Sequence, residues 1–443
     1  MFFHSFLQDI RIGLRVLFKE KTFSILAVTV LALGICGVTT QFAIVNGTVL
    51  RGFSFPNPEQ LVSIGLLDPQ ADQNQNNGAG FIPSLHDYED IRAAQQSYSM
   101  MAAYLSNGTI NVTYKGAPQR YTGAHVTDDF FRIIGVSPVL GREFTADDHR
   151  PGAEKVTLLS DEIWQRDFGG DANVVGQAIR INGKPATVIG VMPPKFKFPQ
   201  NDQLWVPLYN EYPVQPRGVP DTNSPFRKIL ARLKPGVSLD QANLEAVEIA
   251  RRLAKEHPKT NGDLPSARVL PLLHAFTPPQ MRNTIYAMLG AVVMVLLIAC
   301  VNVMNMQFGR AALRAKELAI RGALGATRGR LVRQMLTESL LIAVLGTVLG
   351  VLLATWSLDM ITSYMRSLAN PPPSWRVFSI DGTVLLFTIG VTLVATIASG
   401  LIPAMLSSRQ NPAEVMKEGD RGWRRSTRGP VNTIARSRLS SGW

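Results

Sequence analysis

KTFSILAVTVLALGICGVTTQFAIVNGTVLR, running from Lys21 to Arg51, decides the class of this chain, because 29 residues pass between its two end charges without another. At about 1.5 Å of rise per residue, roughly 20 apolar residues cross the hydrocarbon of a bilayer, so the window is long enough to span it as a helix. Three further windows answer the same description. Arg282 to Arg310 encloses 27 uncharged residues, Asp381 to Arg409 encloses 27, and Arg333 to Asp359 encloses 25 with the single charge Glu338. Four transmembrane helices are therefore expected, over residues 22–49, 284–308, 334–358 and 382–406. A cleaved signal peptide is the competing reading of the first window, since Arg11, Arg15, Lys19 and Lys21 precede it. Its apolar run is too long and no small-x-small site follows it at the right distance, which favours a retained anchor.

Across all 443 residues Lys and Arg number 45 against 33 Asp and Glu, a formal charge of +12. The excess is confined to three segments. Residues 1–22 carry 4 basic and 2 acidic side chains, 309–333 carry 7 and 1, and 406–443 carry 8 and 3, whereas the long stretch 50–283 is balanced at 24 and 24. Short basic segments stay on the cytoplasmic side, so both termini and the 309–333 loop are expected inside and the neutral stretch outside. That distribution also argues against nucleic acid as a partner, because the basic residues flank spans instead of forming a face of the soluble part. Cys36 and Cys300 both lie within apolar windows and make neither a disulfide framework nor a metal pair.

Ahead of the first span, Phe3, Phe6, Leu7, Ile10, Leu14, Leu17 and Phe18 recur at helical spacing, with Asp9, Arg11, Arg15 and Lys19 elsewhere. Residues 1–21 are accordingly expected as an amphipathic helix on the inner membrane surface. The outside segment 50–283 is expected to be an α+β domain, large enough for two subdomains. Asn182-Gly183 between Ile179–Ile181 and Ala186–Val191 predicts a hairpin, and Lys115-Gly116 between Asn111–Tyr114 and Gln119–Val126 a second. Ser238 with Gln241 three residues on is a capping box that opens a helix to about Glu256, set between strand-like runs at 227–233 and 268–273. Gln70–Gly80 has the composition of a loop.

Nothing in the chain has the spacing of a catalytic or metal site: its six histidines are scattered, and neither HExxH, GxSxG nor GxxxxGK[ST] occurs. No enzyme activity, cofactor or metal is expected of it. The segment 309–333 carries the most information. A basic helix with Glu317 and Arg321 at i,i+4 breaks at Gly322 and Gly325 just before the third window. Membrane orientation requires its charges but not its small residues, which suit close docking of another protein.

Taken together, several stretches resemble the MacB/FtsX-type permeases of ABC transporters, and the duplicated orphan permeases common in acidobacteria most closely. They are Leu31-Ala-Leu-Gly34 in the first span, Phe55-Pro-Asn-Pro-Glu-Gln-Leu61, Ala231-Arg-Leu-Lys-Pro-Gly-Val-Ser238, Leu297-Ile-Ala-Cys-Val-Asn302, the 309–333 loop, Leu401-Ile-Pro-Ala404 and Ser408-Arg-Gln-Asn-Pro-Ala413. The resemblance implies an inner-membrane protein with four transmembrane helices and a large α+β periplasmic domain between helices 1 and 2. It implies that a separate ABC ATPase, which alone uses ATP, docks at Glu317, Ile320, Arg321, Leu324 and Gly325. It also implies a permease half that acts in export or mechanotransmission, working as a homodimer or with another permease half. A periplasmic adaptor and an outer-membrane channel are possible further partners. An FtsX-like regulator of a cell-wall hydrolase and an inactive truncated half are the alternatives. The longer relatives continue into a second four-helix half, and MacB carries a fused ATPase; here residues 407–443 form a basic tail and the connection 359–381 is short.

Inside the spans, Gly34 and Gly37 in the first and Gly346 and Gly350 in the third are expected helix-packing positions, the latter pair a candidate interface between chains. Asn302, Asn305 and Glu338 are the intramembrane polar candidates, with Glu338 expected to pair with Arg330 or Arg333 near the membrane surface. Gly400 and Pro403 are expected to kink or end the fourth span.

Overall fold

A computed structural model describes residues 2–70, 84–150, 152–214, 217, 228–313, 328–368 and 371–409. The loop expected at Gln70–Gly80 falls, apart from Gln70, outside the described residues, as do Glu317, Ile320, Arg321, Leu324 and Gly325. The chain divides into two compact units: residues 1–44, 287–360 and 379–443, and residues 45–286 with 361–378.

The first unit is helical. A helix runs through each charge-free window, Lys21–Val45, Pro279–Leu313, Arg328–Arg366 and Gly382–Arg409, and each holds a stretch long and apolar enough to cross a membrane. Their common core is Leu31, Ile35, Val38, Leu296, Cys300, Val303, Ile342, Ala343 and Ala395, all buried. The preceding helix, Phe2–Lys19, divides its apolar stripe between two surroundings. Leu17 enters the bundle core while Phe18 stays 73% exposed.

In the second unit ten strands are hydrogen bonded to one another: β1 (Leu61–Leu67), β2 (Tyr98–Tyr114), β3 (Ala117–Val126), β4 (Leu140–Gly141), β5 (Val156–Leu159), β6 (Ala178–Ile181), β7 (Lys184–Val191), β8 (Leu204–Pro207), β9 (Lys228–Leu233) and β10 (Ser266–Pro271). Two layers share β2. Its first half pairs with β9 and continues the antiparallel order β10-β1-β9-β2. The helices Leu85–Ala94 and Leu239–Glu256 cover one face of that sheet, burying Tyr88, Ile91, Ile249 and Leu253 against Val62, Ile64 and Val269. β9, the second helix and β10 form the expected β-α-β unit, but in split form, with β1 inserted between the parallel strands.

Past a bulge between Leu105 and Gly108, where Asn107 takes φ 64°, the second half of β2 pairs with β3 and β6 instead. From there the pairings run β3 to β8, β8 to β5, β5 to β7, β7 to β6 and back to β2, so six strands close a small barrel. Ile110, Val112, Tyr121, Ile179, Val188 and Leu204 are among its buried residues. Both expected hairpins lie in this barrel, Lys115-Gly116 and Asn182-Gly183 each taking two positive φ angles as a primed turn requires. The capping box at Ser238 is formed, Gln241 N donating to Ser238 Oγ at 3.2 Å and Ser238 N to Gln241 Oε1 at 3.0 Å.

Candidate coupling site at one end of the helix bundle

Three helices that bound or adjoin the 314–327 segment meet through charges. Glu20 sits at the break between the amphipathic helix and the first span, Arg310 lies in the last turn of the second, and Glu338 lies in the third. Arg310 Nε stands 2.5 Å from Glu20 Oε2 and its Nη2 3.4 Å from Glu338 Oε2. The guanidinium also lies 4.7 Å from the centroid of Phe23. The side chains of Arg310 and Glu338 are each only 11% exposed, so this is a largely desolvated arrangement. One cation between two carboxylates ties three helices together, and a planar guanidinium with several donors suits such bridging better than an ammonium. From sequence Glu338 is expected to reach Arg330 or Arg333; the structure also brings Arg310, on the neighbouring helix, to it.

Above this cluster a polar seam continues into the bundle. Gln307 Nε2 donates to Ser339 Oγ at 2.9 Å, both residues buried. Gly400 faces the same serine: a Cβ there would lie 2.6 Å from Ser339 Oγ, so only glycine admits the contact. Farther along, Thr347 and Thr392 hydroxyls meet at 2.7 Å and Thr39 and Thr388 at 3.1 Å. Thr388, Thr392, Thr396 and Ser399 occupy one face of the fourth span, and each donates to the carbonyl four residues earlier. Their protons are satisfied within their own helix. For these four hydroxyls contacts across the seam therefore contribute little individually and can change as helices shift without leaving their own donors bare, whereas buried Thr39 gives its proton to Thr388.

The remaining sequence candidates divide. Gly34 packs on Leu296 and Gly37 on Val292, so both serve the contact between the first and second spans. Gly346 packs against Leu31, and a Cβ on Gly350 would come within 2.9 Å of the Ala32 carbonyl oxygen. Both thus serve the first and third spans within one chain, where the motif suggested a surface between chains. Asn302 and Asn305 are exposed on the second span, whereas the neighbouring amide of Gln307 is the buried one. The fourth helix continues through Gly400 and Pro403 to Arg409, so the early helix end is not found. Pro403 has no amide hydrogen to donate to the carbonyl four residues earlier, and that lost bond is tolerated within an apolar helix of this length. Glu20, Arg310, Gln307, Ser339 and the hydroxyl stripe were not singled out from sequence; the 4, 4, 3 spacing of Thr388, Thr392, Thr396 and Ser399 is the signal that identifies the stripe. Among the described residues no group of three or more His, Cys, Asp or Glu could hold a metal ion.

The family model for the MacB-like periplasmic core domain matches residues 24–249, half of the chain, and the model for the FtsX-like permease C-terminal region matches residues 289–412. The chain belongs to the MacB/FtsX-type permeases of ABC transporters. This permease is 24% identical over 424 residues to the macrolide export ATP-binding/permease protein MacB of Neisseria meningitidis serogroup B, covering 94% of this chain and 62% of that protein. With a MacB of Yersinia pseudotuberculosis it shares 26% over 333 residues, 74% of this chain and 48% of the other. The permease thus spans less than two thirds of the length of these curated relatives. Among solved structures it is similar to the periplasmic region of MacB from Actinobacillus actinomycetemcomitans, at 15% identity, TM-score 0.35, and coverage of 50% of this chain and 91% of that one. It is also similar to the extracellular domain of the ABC-type transporter YknZ from Gram-positive bacteria, at 16% identity, TM-score 0.34, and coverage of 47% and 99%. The permease is a multi-pass membrane protein with its α/β periplasmic domain between the first and second spans.

Proposed function

We propose that this permease is the membrane subunit of an ABC-type export or mechanotransmission complex, coupling ATP hydrolysis by a separate ATPase to motion of its periplasmic domain. The observation that carries the reading is Arg310 held between Glu20 and Glu338, because the two helix ends that bound the 314–327 segment are thereby joined to the start of the first span. An ATPase that docks on Glu317, Ile320, Arg321, Leu324 and Gly325 pulls on the second and third helices together. Through the same arginine it pulls on the first, which leads directly into the periplasmic domain. Two states of the bundle with different affinity for the ATPase suffice for coupling. Isolating the complex from native membranes tests the reading: an ATPase should accompany the permease, and its absence from every preparation that retains a folded permease contradicts it.

The coupling reading needs the loop and both termini in the cytoplasm. Cysteines at Asp147 and Leu244, both exposed on the periplasmic domain, should react in intact cells with a membrane-impermeant maleimide. A cysteine at Ser426 should react only after lysis. The reverse pattern inverts the topology and removes the loop from the side where ATP is.

A second copy completes the proposal. Asn302 and Asn305 present two carboxamides outward from the second span, one turn apart, and amides in hydrocarbon are stabilised when they find partners on another helix. Asn305→Cys should form an oxidative crosslink between copies in native membranes, giving a species of twice the mass. Absence of that species at both Asn305→Cys and Asn302→Cys would place the contact elsewhere.

A further inference from the structure

The segment that joins the third and fourth spans does not lie free on the membrane. Residues 371–378 are packed into the periplasmic unit. It begins with Pro371-Pro372-Pro373, three residues that have no amide hydrogen to donate and whose fixed φ favours a stiff extended path. Two of their carbonyls are taken up by one side chain, Asn201 Nδ2 donating to Pro371 O and to Pro372 O, each at 3.0 Å, and Pro373 O accepts from Arg376 N at 3.0 Å. Ser374 N then donates to Gln200 O at 3.3 Å, Trp375 Nε1 to Pro199 O at 3.1 Å, and Arg376 Nη2 to Phe276 O at 2.6 Å. The Trp375 ring lies 4.5 Å from Phe53 and 5.5 Å from Phe276, centroid to centroid. At Gly47 a Cβ would fall 2.4 Å from the Val377 carbonyl oxygen, so the glycine is what allows the chain to pass so closely.

The receiving loop is itself anchored. Asp202, completely buried, accepts from Ser106 Oγ at 2.5 Å, from Asn107 N at 2.9 Å and from Gln200 N at 3.1 Å. Residues 197–202 are thereby fixed to the bulge of β2, the point at which that strand leaves the four-stranded sheet for the barrel. A displacement of the loop is a displacement of the junction between the two layers.

We propose that residues 371–378 form a mechanical strap, a third connection by which the third and fourth spans move the periplasmic domain, gripping it at Asn201, Gln200, Pro199 and Phe276. The first and second spans are continuous with the domain through residues 45–50 and 279–286; the third and fourth are joined to each other by this loop, whose residues 371–378 are held by the domain. A flexible connection would absorb helix motion. Three prolines in sequence, four hydrogen-bonding donors and an aromatic anchor make this one stiff at both ends. The strap rests on the coupling reading above and states where force enters the domain.

The test uses the full chain in lipid nanodiscs and reads hydrogen exchange over residues 196–203. Glu338→Gln perturbs the opposite end of the bundle, far from the strap in sequence, and is expected to raise exchange in that loop several-fold. In Asn201→Ala, which removes both proline contacts and leaves the aromatic anchor, the same Glu338→Gln change should leave exchange over 196–203 unaltered. Trp375→Ala removes the anchor and provides a second, independent release. If the response to Glu338→Gln survives in both released variants, motion reaches the loop by another route and the strap is overturned while coupling stands. If Glu338→Gln changes nothing even in the intact strap, both the strap and the coupling it rests on are overturned.

Discussion

Arg310→Met is expected to destabilise the helix bundle by about 3–5 kcal/mol, the usual cost of breaking a buried ion pair by removing one partner. The methionine retains most of the aliphatic volume beside Phe23, so the loss is electrostatic more than steric. Glu20 and Glu338 then lose the cation that stands between them, Glu338 in a position only 11% exposed. Removing one of those carboxylates in addition should recover part of the loss, so Arg310→Met/Glu338→Gln is expected to be more stable than Arg310→Met alone. Glu338→Gln by itself should cost less than the arginine change, because the cation keeps Glu20. Equilibrium unfolding of the purified protein in mixed micelles measures all three. Equal stability of Arg310→Met and the unsubstituted protein would show that the cluster does not hold the helix ends together.

The double substitution Ile320→Asp/Leu324→Asp is expected to abolish recruitment of the ATPase. Full burial of an Ile or Leu side chain is worth roughly 1.5–3 kcal/mol each, so losing two such contacts weakens binding by about two to four orders of magnitude. Placing carboxylates at the same positions adds their desolvation to the loss. Seven Lys and Arg still flank the spans from 309 to 333, so insertion and orientation should be unchanged. Glu317 and Arg321 lie at the rim in this reading, where charges act more on association rate and specificity than on affinity, and their alanine variants should bind more slowly without losing the complex. Pull-down of the ATPase with each variant, together with periplasmic maleimide labelling as a control for insertion, separates a docking defect from a folding one.

Much of the architecture was legible because it follows from local rules. A charge-free window of 27 residues has few alternatives to a span, and a positive φ pair at Lys115-Gly116 or Asn182-Gly183 follows from the side chains alone. The capping box at Ser238 marks its helix in the same way. Long-range pairing is another matter. That β1 inserts between β9 and β10, or that β2 bends at Asn107 to pair with β9 in one layer and β6 in the other, depends on partners distant in sequence. The glycines show the same division: their close-approach role was readable from small-xxx-small spacing, but which helix they meet was not, and Gly346 and Gly350 turned out to serve the first span of their own chain. Glu338 was recognisable as an intramembrane carboxylate, yet its approach to Arg310 joins two different helices and could not be read from local spacing. Pro371-Pro372-Pro373 reads in sequence as a plain connector, because its partner Asn201 lies 170 residues away.

Coupling is tested most directly by the labelling rate of a single cysteine at Lys195, exposed in the loop that receives the strap, in the complex of the full chain with its co-purified ATPase. Adding ATP should change that rate severalfold when the docking loop is intact, and the change should vanish in Ile320→Asp/Leu324→Asp. A rate indifferent to ATP in the intact complex, with the ATPase bound and hydrolysing, would contradict transmission of ATP-driven motion to the periplasmic domain.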